Sequence, residues 1–250
     1  MRAYRVFEGG RFGSGRYCEM GRDELDAGNV VVRIAHASVN YKDALTARGK
    51  AKIALKFPLV AGIDLAGTVE ESADARFKTG DEVIVHSFGL GADHDGGYAE
   101  YGRFPGDWVI PLPRGMNLFE ASALGVAGHT AAHAIDLMEL NGLAPANGKV
   151  LVNGATGGVA SIAIDILARR GYHVVAMSGK ADQADYLKGL GAREVIGRND
   201  IKDRNAEAAR TWLRSNDVPQ GLIRAPAALS SSISFLDASL TGFPSMKIWQ

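Results

Sequence analysis

The sequence predicts an α/β protein of two domains, the first rich in short β-strands and the second built from alternating strands and helices. Before Pro113, short apolar runs alternate with turn signals, which is typical of a compact β domain or a partly open barrel. After residue 145, a glycine-rich turn separates a β-branched run from an apolar run of helical length, and further strand and helix patterns follow.

The N-terminal part is predicted to contain one short helix, at residues 38–48, which ends at Gly49. Residues 9–15 form a glycine-rich turn. A glycine inside the third strand pattern marks a bulge or a close approach of another backbone. The predicted strands are residues 2–7, 29–35, 62–70, 83–85 and 108–110.

Residues 120–140 have a helical period and are rich in alanine, with a break near residues 125–128. Because the pattern changes at residues 113–118, we place the domain boundary there. The chain then divides into a β domain at 1–115, a parallel α/β domain at 116–200 and an atypical C-terminal tail at 201–250 that could be disordered.

A glycine-rich turn, G-A-T-G-G-V-A, begins at Gly154 between a predicted strand and a predicted helix. A helix N-terminus favours phosphate because its unpaired N–H groups and its dipole both attract an anion. The surrounding β-α-β-α-β pattern predicts half of a dinucleotide-binding fold. The alternative is a turn that only connects two packed elements. The residues expected around the pyrophosphate are Thr156, Gly157, Gly158 and Val159.

The end of the second strand of this unit indicates which dinucleotide binds. An NAD site places an acidic residue there to hold the ribose 2′-hydroxyl. This chain has Ser178, Gly179 and Lys180, and a hydroxyl with a cation suits a 2′-phosphate. Asp182 is interpreted as the N-cap of the next helix. The sequence therefore predicts NADPH over NADH, with a solvated surface lysine as the alternative for Lys180.

Charge and composition exclude several classes of function. The 28 cations balance 28 anions, which argues against a nucleic-acid or anionic-membrane partner. A single cysteine allows no internal disulfide, and neither a signal sequence nor a bilayer-length apolar run is visible. We expect a cytoplasmic protein. His129 and His133 have a metal-pair spacing without a third ligand, so helix packing or solvent contact is the favoured interpretation, and His94 is assigned to a solvated loop.

Several motifs together resemble a known family. They are N-Y-K-D from Asn40, P-L-V-A-G-I-D-L-A-G-T-V from Pro58, G-D-E-V from Gly80, G-G-Y-A-E from Gly96 and G-D-W from Gly106, followed by the glycine turn and S-G-K. Their order and spacing are similar to those of the zinc-independent medium-chain dehydrogenase/reductases, in the branch of acryloyl-CoA reductases and quinone oxidoreductase-like proteins. The resemblance implies a GroES-like N-terminal domain and a partial Rossmann domain of three parallel strands.

The resemblance also implies a metal-free reduction. Ile63 stands where zinc-dependent relatives have histidine, so no zinc is expected. Tyr41 is the candidate for contact with the nicotinamide and for proton donation, or else a half-buried aromatic residue. Asp64 is expected to hold Asn40, Lys42 or substrate in place, or else to be a turn carboxylate.

The implied reaction is NADPH-dependent reduction of an activated C=C bond, most simply acryloyl-CoA to propanoyl-CoA, with a quinone-like substrate as a further possibility. Arg198 follows the third strand, where the family tends to carry a basic residue near the adenine side, and a loop arginine is the alternative. The other function left open is a non-catalytic NADPH-binding module.

The resemblance stops near Lys202. Residues 203–213 are compatible with a helix, but no further strand–turn–helix succession follows. Without strands 4 to 6 of the fold, strand 1 is expected to be an exposed sheet edge. We therefore expect weak or absent catalysis, and the homodimer that the family suggests is in doubt.

Overall fold

The computed structural model describes residues 1–200 and the backbone of Leu222–Arg224. The chain forms two compact units, one of Met1–Val126 and one that begins at Ala127. This division lies inside a helix, beyond the boundary that composition places near residue 115. This helix is broken at Gly125, so its first turns belong to the first unit and the remainder to the second.

The first unit begins with a three-stranded antiparallel sheet in the order β2-β1-β4. Strand β1 spans Arg2–Phe7, as predicted. Strand β2, at Ser14–Glu19, was not predicted, because it is an edge strand with largely exposed side chains and lacks an apolar alternation. Strand β4 is the short segment Leu59–Val60.

A five-stranded antiparallel sheet forms the rest of the β core, in the order β7-β3-β5-β6-β8. A Cβ on Gly67 would collide with the carbonyl oxygen of Arg33, and the β3–β5 register is irregular beside it, which confirms the predicted close approach. The strands are β3 at Val30–His36, β5 at Asp64–Ser72, β6 at Glu82–His86, β7 at Tyr101–Phe104 and β8 at Val109–Pro111.

Two helices belong to this part of the chain. Helix α1 spans Tyr41–Ala47 and is preceded by Asn40 in an extended N-cap conformation. Helix α2 spans Leu118–Leu140 and is broken at Gly125, where φ is 47° and ψ is −149°. The break confirms the interruption predicted for residues 125–128. The helix after Gly125 therefore has its own N-terminus, whose first N–H groups need partners outside the helix.

The second unit has the predicted β-α-β-α-β succession in a parallel sheet ordered β11-β10-β9-β12. Its core is closely packed, with Leu151, Ile164 and Leu187 fully buried. The elements are β9 at Lys149–Asn153, α3 at Gly158–Arg169, β10 at His173–Ser178, α4 at Ala184–Gly189, β11 at Glu194–Gly197 and β12 at Leu222–Arg224.

The expectation that β9 would be an exposed edge is wrong. Leu222–Arg224 pairs in parallel with β9, with Leu222 opposite Leu151 and Arg224 opposite Asn153. The segment thus occupies the fourth position of the sheet, which a single short apolar run was too weak a pattern to predict. The helix expected at residues 203–213 lies outside the described residues. Among the helices that the structure describes, none combines the length and apolarity needed to span a bilayer.

Candidate functional site

The glycine-rich turn connects β9 to α3 and is closed by a backbone hydrogen bond. Gly154 has a φ of 64°, and its carbonyl oxygen accepts a hydrogen bond from the N–H of Gly157 at 2.8 Å. The N–H of Ala155 donates to the carbonyl of Met177 at 3.1 Å, which ties the turn to β10. Helix α3 begins at Gly158, immediately after this turn. The predicted succession of strand, glycine turn and helix is therefore the observed one.

The first turn of α3 is open to solvent. Gly157 and Gly158 are exposed, whereas Ala160 is fully buried against the core. The leading N–H groups of a helix have no acceptor within the helix, so an anion can bind there. Thr156 and Val159 are half-buried on either side of the two glycines. The turn can thus hold a phosphate against backbone N–H groups.

The end of β10 carries a second polar group of residues. Ser178 is buried, and its Oγ accepts a hydrogen bond from the N–H of Lys180 at 3.0 Å. That bond leaves the hydroxyl proton of Ser178 available to an acceptor. Lys180 itself is exposed. Asp182 does not cap the following helix as expected: its carboxylate accepts from Nε2 of Gln183 at 3.0 Å, and neither helical segment there has a side-chain cap.

Arg198 joins this group because of strand pairing. Ser178 lies opposite Gly197 in the parallel β10–β11 ladder, so the residues that follow both strands are neighbours. The guanidinium group of Arg198 lies 3.2 Å from where a Cβ of Gly179 would be. The missing side chain at Gly179 therefore makes room for Arg198. Two cations, Lys180 and Arg198, flank the end of β10.

In the first unit, the carboxylate of Asp64 is buried, with 2% of the residue exposed. Its Oδ1 accepts from the N–H of Ser38 at 2.8 Å. Its Oδ2 accepts from Oγ of Ser38 at 2.6 Å, from Nδ2 of Asn40 at 3.1 Å and from the N–H of Val126 at 3.0 Å. These donors stabilise the buried charge. Asp64 therefore joins the segment before α1 to the N-terminus of the second part of α2.

Gly125 is required where α2 breaks. Its φ of 47° lies in the region that glycine favours, and a Cβ there would lie 2.5 Å from Oδ2 of Asp64 and 3.0 Å from Oγ of Ser38. No periodic pattern in the sequence connects Gly125 with Asp64, which are 61 positions apart.

The turn before α1 is held by a second carboxylate and a tyrosine. The N–H of Asn40 donates to Oδ2 of Asp43 at 2.8 Å, and the hydroxyl of Tyr98 donates to the carbonyl of Ser38 at 2.9 Å. Burial raises the pKa of Asp43, and the charge of Asp64 raises it further. Burial, together with the negative charges of Asp43 and Asp64, also raises the pKa of Tyr98. The phenol of Tyr98 is therefore a stable donor at neutral pH.

Tyr41, the first residue of α1, is 64% exposed. Tyr41 follows Asn40 directly in the chain. Asn40 donates hydrogen bonds to Asp43, Asp64 and Ser38, and these bonds fix the backbone position of Tyr41. Of the partners considered for Asp64, the structure places Asn40 in contact, whereas Lys42 is exposed. Sequence reasoning missed Ser38, Tyr98 and Val126, of which only Tyr98 belongs to a quoted motif, G-G-Y-A-E.

The histidines considered as ligands have other contacts. The rings of His129 and His133 are stacked, with centroids 5.8 Å apart. His94 is not solvated, because its ring packs against Trp108 at 4.9 Å and its Nδ1 lies 2.9 Å from the carbonyl oxygen of Asp95. In the described part of the chain, no group of three or more His, Cys, Asp or Glu residues is placed to hold a metal ion.

Comparison with known proteins agrees with this arrangement. Residues 26–114 match the alcohol dehydrogenase GroES-like domain. The acrylyl-CoA reductase AcuI of Ruegeria pomeroyi is 44% identical over 180 residues, 72% of this chain and 54% of that protein. The structure of the yhdH oxidoreductase from Salmonella enterica in complex with NADP has a TM-score of 0.79 at 40% identity, covering 82% of this chain and 63% of that chain.

In sequence and in fold, the chain is similar to the medium-chain dehydrogenase/reductases.

The match to the GroES-like domain and the parallel sheet of the second unit confirm the GroES-like and Rossmann-type halves that the motifs implied. Another structural neighbour, Bacillus subtilis yhfP with NAD bound, has a TM-score of 0.77 at 46% identity and covers 81% of this chain and 61% of that one. The chain spans 54–60% of the length of three curated relatives that it matches.

Proposed function

We propose that the second unit binds NADPH. The start of α3 would hold the pyrophosphate through Thr156, Gly157, Gly158 and Val159. The 2′-phosphate would bind at the end of β10, beside Ser178, Gly179, Lys180 and Arg198. The single observation that carries the proposal is the guanidinium of Arg198 lying 3.2 Å from the Cβ position of Gly179, next to Lys180. Two cations and a buried hydroxyl suit a dianionic phosphate and not a free ribose hydroxyl.

We further propose that the chain reduces a C=C bond conjugated to a carbonyl, with acryloyl-CoA to propanoyl-CoA as the leading case. When bound, NADPH would supply a hydride to the β-carbon of the substrate. The electron pair of the double bond then forms an enolate on the thioester oxygen, and a proton added to the α-carbon completes the reduction. The relatives named acrylyl-CoA reductase and quinone oxidoreductase support this reaction class.

In this proposal Tyr41 donates the proton and contacts the nicotinamide, and Asp64 is a positioning residue. The side chain of Tyr41 is exposed, and a phenol hydroxyl carries a proton that it can donate. Asp64 uses its oxygens to accept hydrogen bonds from Ser38, Asn40 and Val126, so it holds the turn before Tyr41 in place. Asp64 thus supports the reaction through geometry.

The alternative function is an NADPH-binding module without turnover. It has support from the proposed phosphate contacts, which all lie within the second unit, at the start of α3 and at the end of β10. A cytoplasmic location and the pairing of two chains stay predictions, to be checked by cell fractionation and by light scattering of the purified chain.

The deciding experiment measures NADPH binding and NADPH oxidation by the 250-residue chain. NADPH is expected to bind roughly tenfold or more tightly than NADH, since two charge-assisted contacts to the 2′-phosphate are available. Equal affinities would reject the NADPH assignment. Turnover with acryloyl-CoA supports the reductase, whereas binding without turnover supports the module. Tyr41→Phe should lower turnover while NADH and NADPH keep their relative affinities.

A further inference from the structure

The segment that begins at α1 carries a local excess of positive charge. Residues 42–56 contain five lysines and arginines but a single carboxylate, Asp43. Asp43 is buried and accepts a hydrogen bond from Asn40, so its charge is not presented to solvent. The whole chain is balanced, with 28 cations and 28 anions, so this excess is a property of the segment and not of the composition.

Four of these cations are available to a ligand. Their side chains are exposed and have no ion pair within the described ranges, 1–200 and 222–224. Lys56, the fifth cation, differs because it pairs with Asp26, which is itself held by the backbone of Asp95. The four form what we call the basic segment: Lys42, Arg48, Lys50 and Lys52.

The backbone of the basic segment is ordered by its own hydrogen bonds. The N–H of Lys50 donates to the carbonyl of Leu45 at 3.0 Å, and Gly49, at a φ of 55°, ends α1. Gly49 packs so closely on the carbonyl of Gly13 that a Cβ would collide with it. This contact sets the turn against the β1–β2 hairpin, whose own turn exposes Arg11 and one carboxylate, Glu8. Lys42 thus lies in α1, directly after Tyr41, and the other three cations follow on the turn at the C-terminus of this helix.

We propose that the basic segment binds the phosphates of a coenzyme A thioester. The inference rests on the proposed function and deepens it, because it selects the thioester over a quinone-like substrate. Coenzyme A carries a diphosphate and a 3′-phosphate, which exposed lysines and an arginine attract and hydrogen-bond. A quinone has no anionic group for these side chains to hold. Since the reactive thioester lies at the opposite end of the carrier from the phosphates, cations near Tyr41 in sequence can serve recognition without taking part in the chemistry.

Calorimetric titration of the purified chain with coenzyme A and with 3′-dephospho-coenzyme A tests the inference. The variant Arg48→Gln/Lys50→Gln is compared with a matched control, Lys188→Gln/Arg193→Gln, which removes one arginine and one lysine from exposed positions of the second unit. We expect the first variant to weaken coenzyme A binding roughly tenfold and the control less than twofold. Raising the salt concentration should weaken wild-type binding as well.

The outcomes separate the possible sources of phosphate. Removal of the 3′-phosphate should weaken wild-type binding, and the difference should shrink in Arg48→Gln/Lys50→Gln. If that variant loses affinity for NADPH and not for coenzyme A, the basic segment serves the cofactor and the inference is wrong. Wild type without coenzyme A binding, or a variant with unchanged binding, also overturns it. A chain that binds coenzyme A but not NADPH would instead reject the proposed function. A cooperative thermal transition in each variant shows that folding is intact.

Discussion

The carboxylate of Asp64 accepts a hydrogen bond from the backbone N–H of Val126 at 3.0 Å, across 62 positions of the chain. Val126 is the last residue of the first unit, and Gly125 before it breaks α2. A negative charge at the N-terminus of the helix that follows is favourable, because the helix dipole and the unpaired N–H both attract it. Asp64 thus stabilises the point where the chain leaves the first unit.

Asp64→Asn should lower the free energy of unfolding by about 2–3 kcal/mol. The replacement amide places N–H donors where the carboxylate accepts from Ser38 or from Asn40 and Val126, and a buried donor without an acceptor costs free energy. Urea unfolding followed by circular dichroism measures the change. The control Asp182→Asn, at an exposed position, should shift stability by less than about 0.5 kcal/mol. Equal stability of the two variants would show that Asp64 is not a structural anchor.

Gly125→Ala should lower the free energy of unfolding by about 3 kcal/mol. The cost combines backbone strain at a φ of 47° with a Cβ placed 2.5 Å from Oδ2 of Asp64. Gly142→Ala is the matched control, because Gly142 has a φ of 92° and its Cβ would meet nothing within 4 Å. The control should lose only about 1 kcal/mol from backbone strain. Thermal unfolding of both variants checks the difference, and a loss at Gly125 no larger than at Gly142 would contradict the prediction.

Gly179→Ala should weaken NADPH binding roughly three- to tenfold with little change in stability. The new methyl group would lie 3.2 Å from the guanidinium of Arg198, which is the flexible end of a side chain and can move away. We therefore expect the protein to stay folded while the proposed contact of Arg198 to the 2′-phosphate is displaced. Fluorescence titration with NADPH and NADH measures the effect. The affinity for NADH should change less, because NADH has no 2′-phosphate. An equal loss of affinity for both nucleotides would contradict a contact between Arg198 and the 2′-phosphate.

Asp43→Asn should gain stability relative to wild type as the pH rises. Burial raises the pKa of Asp43 in the folded protein above the ordinary value of an aspartate, 3.8. Between the unfolded and folded pKa values the folded state holds the proton more firmly, so wild-type stability falls as the pH rises through this window. The asparagine carries no such proton. Urea unfolding of both proteins from pH 4 upwards should show the difference growing towards neutral pH; a constant difference would argue against a raised pKa.

The sequence predicts elements whose residues follow a local rule. The strand, turn and helix around Gly154 obey the requirements of phosphate binding, and the break of α2 occurs at a glycine within a helical period. The edge strand Ser14–Glu19 follows no such rule because solvent, and not a core, surrounds most of its side chains. A periodic pattern reports burial, so a strand with little burial escapes it.

The residues of the candidate site were predictable where the chemistry is local. Ser178, Gly179 and Lys180 are consecutive, and their position after a strand indicates a phosphate. The approach of Arg198 to Gly179 depends on how β10 and β11 pair, which a single sequence does not specify. The donors to Asp64 come from segments far apart in the chain, so only the folded backbone brings them together.

The pairing of Ser178 with Gly197 also restricts where this chain can change length. Side chains along a strand alternate between the two faces of a sheet, so one residue inserted within β10 would turn the hydroxyl of Ser178 to the opposite face. An extra residue beside Gly191, in the connection between α4 and β11, leaves both strands in register. The strands β10 and β11 therefore accept substitution but not a change of length.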